Sequence, residues 1–204
     1  MGILERRERE REEVRRKILD AARDLFMAEG YDRVTMRRIA DAIEYSPTTI
    51  YNHFKDKDDL VNALCHAEFA QLLAVVDLRA PAGDPVEWIR QIGAAYAAFG
   101  LANPNHYKFM FMTPVRFGEG HQVSEPGRRS FELLRTAVAR AVDTGAFVKG
   151  NVDTMAQVLW ASIHGAVALL ITYDARQFPG APAAPDLVDQ VLANGLRGFL
   201  KGKN

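Results

Sequence analysis

The spacing of apolar residues is the feature that most restricts how this chain can fold. These residues recur three and four positions apart along almost the whole chain, as on one face of a helix, and the alternation typical of a half-buried strand is missing. Breaks containing Pro or Gly divide the pattern at 80–85, 103–104, 114–127 and 178–185. The sequence therefore predicts an all-α fold, with an amino-terminal three-helix head over 1–57 and a carboxy-terminal bundle of about six helices over 58–204.

The composition fits one or two compact domains. The 204 residues are 48% hydrophobic, and because Lys plus Arg and Asp plus Glu both total 26, any nucleic-acid site needs a local basic surface. A single cysteine, Cys65, excludes a disulfide framework and favours a reducing cytoplasm. The charged amino terminus lacks the apolar segment of a signal peptide. The apolar stretch 160–173 is too short to span a bilayer, so we predict a buried helix and no membrane contact.

The first helix divides into an apolar and a charged part. Its second half places Ile18 and Phe26 on one face, and Gly30 stands where a left-handed residue would end it. Upstream, 5–17 is a run of mixed charge with opposite charges four residues apart. Two interpretations are open: a solvated helix with its own ion pairs, or an arm whose arginines reach the phosphates or the minor groove of DNA.

Two short helices follow, each with a recognisable start. Thr35 is a good N-cap for the second, and Ser46 followed by Pro47 starts the third. Because Ile50 and Phe54 are needed for packing, the third helix presents its other side chains outward: Thr48, Thr49, Tyr51, Asn52, His53 and Lys55. This layout is typical of a helix-turn-helix head, whose exposed third helix can donate to phosphates and base edges.

The same residues resemble a known family. Residues 35–40 read Thr-Met-Arg-Arg-Ile-Ala, and 46–60 read Ser-Pro-Thr-Thr-Ile-Tyr-Asn-His-Phe-Lys-Asp-Lys-Asp-Asp-Leu. In order and spacing this is similar to the TetR family signature of Thr-(x)3-Ile-Ala, a Tyr-x-His-Phe core, Lys-x-Lys and a leucine. The resemblance covers about the first quarter of the chain. It implies a one-component transcription regulator. The family's usual mode further implies a repressor that a small molecule releases from a palindromic DNA operator.

The resemblance also implies residue roles. Tyr51, His53 and Lys57 are expected at the DNA backbone, and Thr48, Thr49 and Asn52 at the bases. We add Thr35, Arg37, Arg38 and Ser46 to the predicted DNA-binding set and expect one of the two arginines to face phosphate. Glu44 departs from the pattern, since the family often has glycine in that turn, and it is strained if its φ is positive.

A second resemblance lies near the carboxy terminus. Trp160-Ala-Ser-Ile-His164-Gly165 is similar to a Trp-(x)3-His-Gly element found in TetR ligand-binding and dimerisation domains. Trp160 and His164 share a helix face, so they either pack inside the body or line a pocket. An apolar or aromatic effector is predicted to contact Trp88, Tyr96, Phe99, Tyr107, Phe111, Phe117, Trp160 and His164, although most such aromatic stripes are plain core.

The last two helices predict a homodimer. Small residues at 165, 166 and 168 permit close approach, and the last helix supplies Leu187, Val191, Leu192, Leu196 and Phe199. Together they suggest a symmetric four-helix interface, with ordinary packing inside one chain as the alternative.

Two other functions are weighed against a regulator. A small helical enzyme is disfavoured because the five histidines are scattered without metal or catalytic spacing, and adjacent helical residues such as Cys65 and His66 point about 100° apart. No cofactor is expected. A ligand-independent architectural DNA binder would not need a body so much larger than its head.

Overall fold

The computed structural model describes residues 2–77, 83–112, 124–173, 180 and 182–202, with only the backbone of Ile3. Over these residues the chain forms helices, turns and one isolated bridge, which confirms the all-α prediction. The helices are α1 (Ile3–Glu29), α2 (Met36–Ala42), α3 (Pro47–Tyr51), α4 (Lys57–Asp77), α5 (Pro85–Ala102), α6 (Pro104–Phe111), α7 (Glu125–Asp143), α8 (Val152–Thr172) and α9 (Ala184–Arg197), with a 3₁₀ turn at Tyr31–Arg33.

Local capping sets the helix starts in the amino-terminal region. The Thr35 hydroxyl accepts the Arg38 N–H at 3.1 Å, and the Asp56 carboxylate accepts the Asp59 N–H at 2.8 Å. Each satisfies an amide that has no partner inside its own helix. Gly30 has a φ of 82° where α1 ends, as its position in the sequence predicted.

The chain divides into two compact units. The first consists of Met1–Glu68 and Asn105–Ser124, and the second of Phe69–Pro104 and Glu125–Asn204. The first unit thus extends past 57, because Leu60 and Leu64 of α4 are buried in the same core as Phe26 of α1. Phe109 of α6 belongs to that core too, with its ring 6.2 Å from that of Phe26.

The second unit is built on α5, α7, α8 and α9. Its core contains Trp88, Ile89, Leu134, Val138, Leu159 and Leu196. The approach of α9 to α5 depends on Gly93, since a Cβ there would lie 2.4 Å from a methyl carbon of Leu192. Leu192 therefore packs inside its own chain.

Helix α8 differs from the predicted buried helix. Val158 is 45% exposed and Leu169 is 55% exposed, so one side of α8 is not covered by the described residues. Both α4 and α8 are long and apolar enough to cross a bilayer by length and composition, a weak criterion that core helices of soluble proteins also meet. The prediction was wrong here because the length of an apolar run does not tell whether both sides are covered.

Candidate nucleic-acid interface

Helix α3 has one buried and one exposed side. Ile50 is fully buried and Phe54 is 1% exposed, which holds α3 in the head core. On the other side Thr48 and Asn52 are exposed, and Tyr51 is 55% exposed. A phenol, an amide and a hydroxyl that face solvent together can donate to phosphate oxygens and to base edges.

The turn that leads into α3 is a Schellman motif. The Tyr45 N–H donates to the Ala40 carbonyl at 3.0 Å, and the Glu44 N–H donates to the Asp41 carbonyl at 3.3 Å. This motif needs a left-handed residue, and Glu44 takes that conformation with a φ of 59°. The positive φ considered from the sequence is therefore present, and the turn carries the strain of a side chain where glycine is preferred.

Several predicted DNA-binding residues also have a structural task. The Ser46 hydroxyl caps α3 by accepting the Thr49 N–H at 3.2 Å, and it lies 3.0 Å from the Thr49 hydroxyl. Thr35 caps α2 in the same way. Of the predicted set, Arg37, Thr48, Tyr51 and Asn52 are exposed side chains to which the described residues give no capping bond.

The neighbouring arginines differ in their surroundings. The guanidinium of Arg38 donates to one Glu29 carboxylate oxygen from Nη2 at 2.8 Å and from Nε at 3.1 Å. Arg37 is exposed, and within the described part of the chain it forms no ion pair. Of the two, Arg37 is the residue whose charge is available to a phosphate.

Lys57 is bound within the head. Its ammonium donates to the Tyr31 carbonyl and lies 3.8 Å from the centre of the Tyr31 ring. Burial lowers the pKa of Lys57. The Tyr31 hydroxyl in turn donates to Asp58 at 2.8 Å, and burial followed by this bond raises the pKa of Tyr31 to about 12. The ammonium has two further N–H donors, so a phosphate contact by Lys57 is compatible with its bond to the Tyr31 carbonyl only where the phosphate reaches this half-buried group.

His53 lies at the edge of this surface, close to α1. Burial lowers its pKa, and the charges of Arg11 and Arg15 lower it further against the opposing effect of Glu12. The guanidinium carbon of Arg15 lies 4.6 Å from the centre of the Phe54 ring. Sequence reasoning did not identify this contact between α1 and the end of α3.

A buried ionic cluster in the first unit was also missed. Glu68 of α4 is 1% exposed and accepts a hydrogen bond from Arg23 of α1, with Nη1 and Oε1 3.1 Å apart. Nδ1 of His106 contacts the other oxygen of the same carboxylate. The three residues are separated by 45 and 38 positions, so no local pattern in the sequence signals them.

In the second unit a short chain of hydrogen bonds links three predicted ligand-binding residues. The Trp160 indole N–H donates to the Tyr96 oxygen at 3.3 Å, and that oxygen lies 3.1 Å from Nδ1 of His164. An indole nitrogen is only a donor, so the Tyr96 oxygen accepts there, and its hydroxyl can donate to Nδ1 of His164 in the tautomer whose proton is on the other ring nitrogen. Burial lowers the pKa of His164, which favours the neutral ring.

The other predicted ligand-binding residues are not gathered into that cluster. Trp88 and Phe99 are buried in the second unit, whereas Tyr107 and Phe111 belong to the first unit, with their rings 4.9 Å apart. Phe117 lies outside the described residues.

The exposed side of α8 is not the surface that the sequence predicted for dimerisation. Ala166, Leu192 and Leu196 are buried within the chain, so they cannot present an outer surface. The residues that face outward or are only half buried lie three and four positions apart: Val158, Ala161, Ser162, Gly165, Ala168, Leu169 and Thr172. The Ser162 hydroxyl donates to the Val158 carbonyl at 2.8 Å, which leaves this face small and largely apolar. We call these seven residues the α8 face.

The described residues contain no group of three His, Cys, Asp or Glu side chains placed to hold a metal ion. Cys65 is buried, and burial raises its pKa to about 12, so its thiol stays protonated near neutral pH.

Two family models match this chain. One, described as bacterial regulatory proteins of the tetR family, covers residues 18–64. The other, a tetracyclin repressor-like carboxy-terminal domain, covers residues 89–194, which is half of the chain. The first match contains α2, α3 and the start of α4, and the second contains the Trp160 and His164 cluster.

Individual proteins show the same likeness. An HTH-type transcriptional repressor of Mycobacterium tuberculosis is 46% identical over 61 residues, 30% of this chain and 33% of the repressor. The chain spans about a third of the length of the first curated relatives it matches. An uncharacterised HTH-type regulator of Bacillus subtilis is 27% identical over 74% of this chain and 79% of its own. A solved structure of a Rhodococcus protein of unknown function has a TM-score of 0.74 and 25% identity, over 92% of this chain and 95% of the other.

Proposed function

Since the chain belongs to the tetR family of bacterial regulatory proteins, we propose that it is a sequence-specific DNA-binding transcription regulator and acts as a repressor. The observation that carries this proposal is the segment formed by α3 and the residues directly after it, which buries Ile50 and Phe54 and presents Thr48, Tyr51 and Asn52 to solvent. An exposed second helix of a helix-turn-helix enters the major groove of DNA. Thr48 and Asn52 are assigned to bases, and Tyr51, His53 and Arg37 to phosphates.

The rest of the predicted DNA-binding set keeps a role near the same surface. Thr35, Ser46 and Thr49 hold the ends of α2 and α3 while their hydroxyls stay at the interface. Arg38 and Lys57 are assigned to this surface as well. In the structure Arg38 donates to the Glu29 carboxylate, and Lys57 donates to the Tyr31 carbonyl.

A second copy of this chain is the proposed occupant of the α8 face. An apolar face of this length at the surface of a single chain is typical of a protein interface. Gly165 has open space where a side chain would stand, so another helix can approach there. A twofold dimer would present two α3 helices to a palindromic operator, with half-sites about 34 to 36 Å apart. Helix α9 would contribute through its half-buried residues Leu187 and Val191.

The proposed effector is a small apolar or aromatic molecule bound in the second unit. Tyr96, Trp160 and His164 supply polar groups among aromatic side chains, and burial lowers the pKa of His164, which favours its neutral ring. Such a lining suits a neutral ligand better than a strongly ionic one. To release the protein from operator DNA, the effector would need different affinities for the DNA-bound and the DNA-free arrangement of the protein.

The two alternatives have less support. The relatives whose names state an activity are transcriptional regulators, which points away from a small helical enzyme. A ligand-independent DNA binder would leave the Tyr96 cluster without a purpose. A cytoplasmic location is part of the proposal, since an operator is reached from the cytoplasm.

The test is selection of bound duplexes from a random pool by the purified protein. We expect a palindromic consensus whose half-sites are one helical turn, or a multiple of it, apart. A pool that shows no enrichment after repeated rounds at moderate salt would contradict the proposal. A single half-site in place of a palindrome would support DNA reading but contradict the dimer.

A further inference from the structure

The amino-terminal part of α1 carries an arginine face that the proposed contacts do not use. Arg7, Arg11 and Arg15 are four residues apart, so they share one side of the helix at intervals of about 6 Å. The same side continues into Ile18 and Ala22, which are fully buried in the head core. The arginine face is thus an extension of the inward side of α1.

The head does not cover the outer part of this face. Arg7 and Arg11 are exposed and Arg15 is half-buried. Within the described part of the chain none of the three forms an ion pair, whereas Arg6, on another side of α1, pairs with Glu10 at 3.0 Å. These are charges that the fold itself does not neutralise.

The arginine face continues the surface formed by α3. The Arg15 guanidinium lies over the Phe54 ring at 4.6 Å, at the end of the segment that carries Tyr51 and His53. Arg11 and Arg15 both lower the pKa of His53, as positive charges close to that imidazole do. A phosphate strand that passes Tyr51 and His53 would therefore meet Arg11 next and then Arg7.

We propose that the arginine face binds the phosphate backbone of duplex DNA beside the site read by α3. This inference rests on the proposed DNA binding and adds a partner for the extension of α1. A contact with phosphates carries no sequence information, so it raises affinity for all duplexes and makes that affinity more sensitive to salt. Of the two interpretations open from the sequence, the structure thus favours the DNA-binding arm.

The test compares two double variants with equal loss of charge. Arg7→Gln with Arg11→Gln removes the exposed part of the arginine face. Arg9→Gln with Arg16→Gln is the control, because at 100° per residue both lie on the opposite side of α1, and both are exposed. Gln has nearly the helix propensity of Arg, so α1 should persist in both.

Binding is measured by fluorescence anisotropy at several salt concentrations, on the selected operator and on an unrelated duplex of equal length. For the first variant we expect weaker binding to both duplexes and a plot of log affinity against log salt that is flatter by about 0.9 for each lost contact. The control should keep a slope close to that of the parent protein.

Equal slopes and affinities for the two variants would overturn the inference, because charge alone, and not its position, would then matter. If the parent protein binds the operator and the two variants behave alike, only the arginine face is refuted. If the parent binds no duplex even at low salt, both the inference and the proposed function fail.

Discussion

Arg23 and Glu68 form a buried ion pair, in which Nη1 of the arginine lies 3.1 Å from Oε1 of the carboxylate. The arginine is 8% exposed and the glutamate 1%. Because both charges have lost most of their hydration, each stabilises the other, and the exposed Asp20 carboxylate, 3.0 Å from the same Nη1, is a further partner of the arginine. His106 at the second carboxylate oxygen adds α6 to this connection between α1 and α4.

We therefore expect Glu68→Ala to lower the free energy of unfolding by about 3 to 5 kcal/mol, since it leaves Arg23 buried without its main partner. Urea unfolding of the two proteins measures the difference. Glu10→Ala, which removes the exposed partner of Arg6, serves as a control and should change the stability little. A Glu68→Ala protein as stable as its parent would mean that water replaces the carboxylate.

The strained turn at Glu44 leads to the prediction that a substitution there increases the stability of the protein. Glu44→Gly should raise the free energy of unfolding by up to about 1 kcal/mol, because the left-handed conformation costs a residue with a Cβ roughly 1 to 2 kcal/mol and glycine adds some entropy to the unfolded chain. Ala42→Gly, two residues earlier in α2, is the control and should lower stability. Destabilisation by both changes would argue against strain at Glu44.

Tyr51 offers a prediction for DNA binding alone. Tyr51→Phe should weaken operator binding about tenfold through loss of a hydrogen bond to phosphate, while the melting temperature stays near that of the parent, because the side chain is 55% exposed. Tyr173→Phe makes the same chemical change at a tyrosine that is 52% exposed in the other unit, and operator affinity should not respond. Parental affinity in the Tyr51 variant would remove this residue from the interface.

The head could be predicted from the sequence because its signals are local. Ser46 and Pro47 start a helix by their own chemistry, and the spacing of Ile50 and Phe54 shows which side of α3 is covered. The Arg23 and Glu68 pair could not be predicted, since it depends on how α1 packs against α4. The hydrogen bond of Lys57 could not be predicted either, because its partner, the Tyr31 carbonyl, is positioned by the path of the chain after α1.

The burial of the residues predicted for dimerisation could not be read from the sequence for a related reason. Periodicity identifies the apolar sides of α8 and α9, but it does not tell which neighbour covers each side. Leu192 is covered by α5 of its own chain, where Gly93 leaves room for it. Leu169 and Val158, on the same helix as the predicted small residues, are left exposed.

The α8 face leads to a prediction about assembly with a closely matched control. Val158→Glu should yield monomers in sedimentation at micromolar concentration, because a charge buried in an apolar interface loses its hydration without gaining a partner. Val148→Glu makes the same change at a valine of similar exposure, 41% against 45%, in the turn before α8 and off the α8 face. Dimers of the Val158 variant, or a monomeric parent protein, would contradict the proposed interface.

The hydrogen-bonded chain from Trp160 through Tyr96 to His164 predicts a pH dependence of stability. Burial places the folded-state pKa of His164 below its ordinary value of 6.5, so the unfolded chain takes up a proton at this residue more readily than the folded chain does. Stability rises with pH wherever the unfolded state binds more protons. Well above pH 6.5 His164 is neutral in both states and contributes no slope, whereas the folded state loses stability as the pH falls through the unfolded-state pKa of 6.5 toward the lower folded-state pKa.

In the tautomer whose Nδ1 accepts the Tyr96 hydroxyl, protonation of His164 would also give Nδ1 a hydrogen and remove that bond. Unfolding by urea at several pH values between 8 and 5.5 tests this for the parent, for His164→Gln and for His66→Gln, whose histidine is exposed. The His66 variant should lose as much stability on acidification as the parent, and the His164 variant should lose less. If all three proteins lose stability equally, the folded and unfolded states do not differ in their affinity for a proton at His164, which would contradict a pKa lowered by burial.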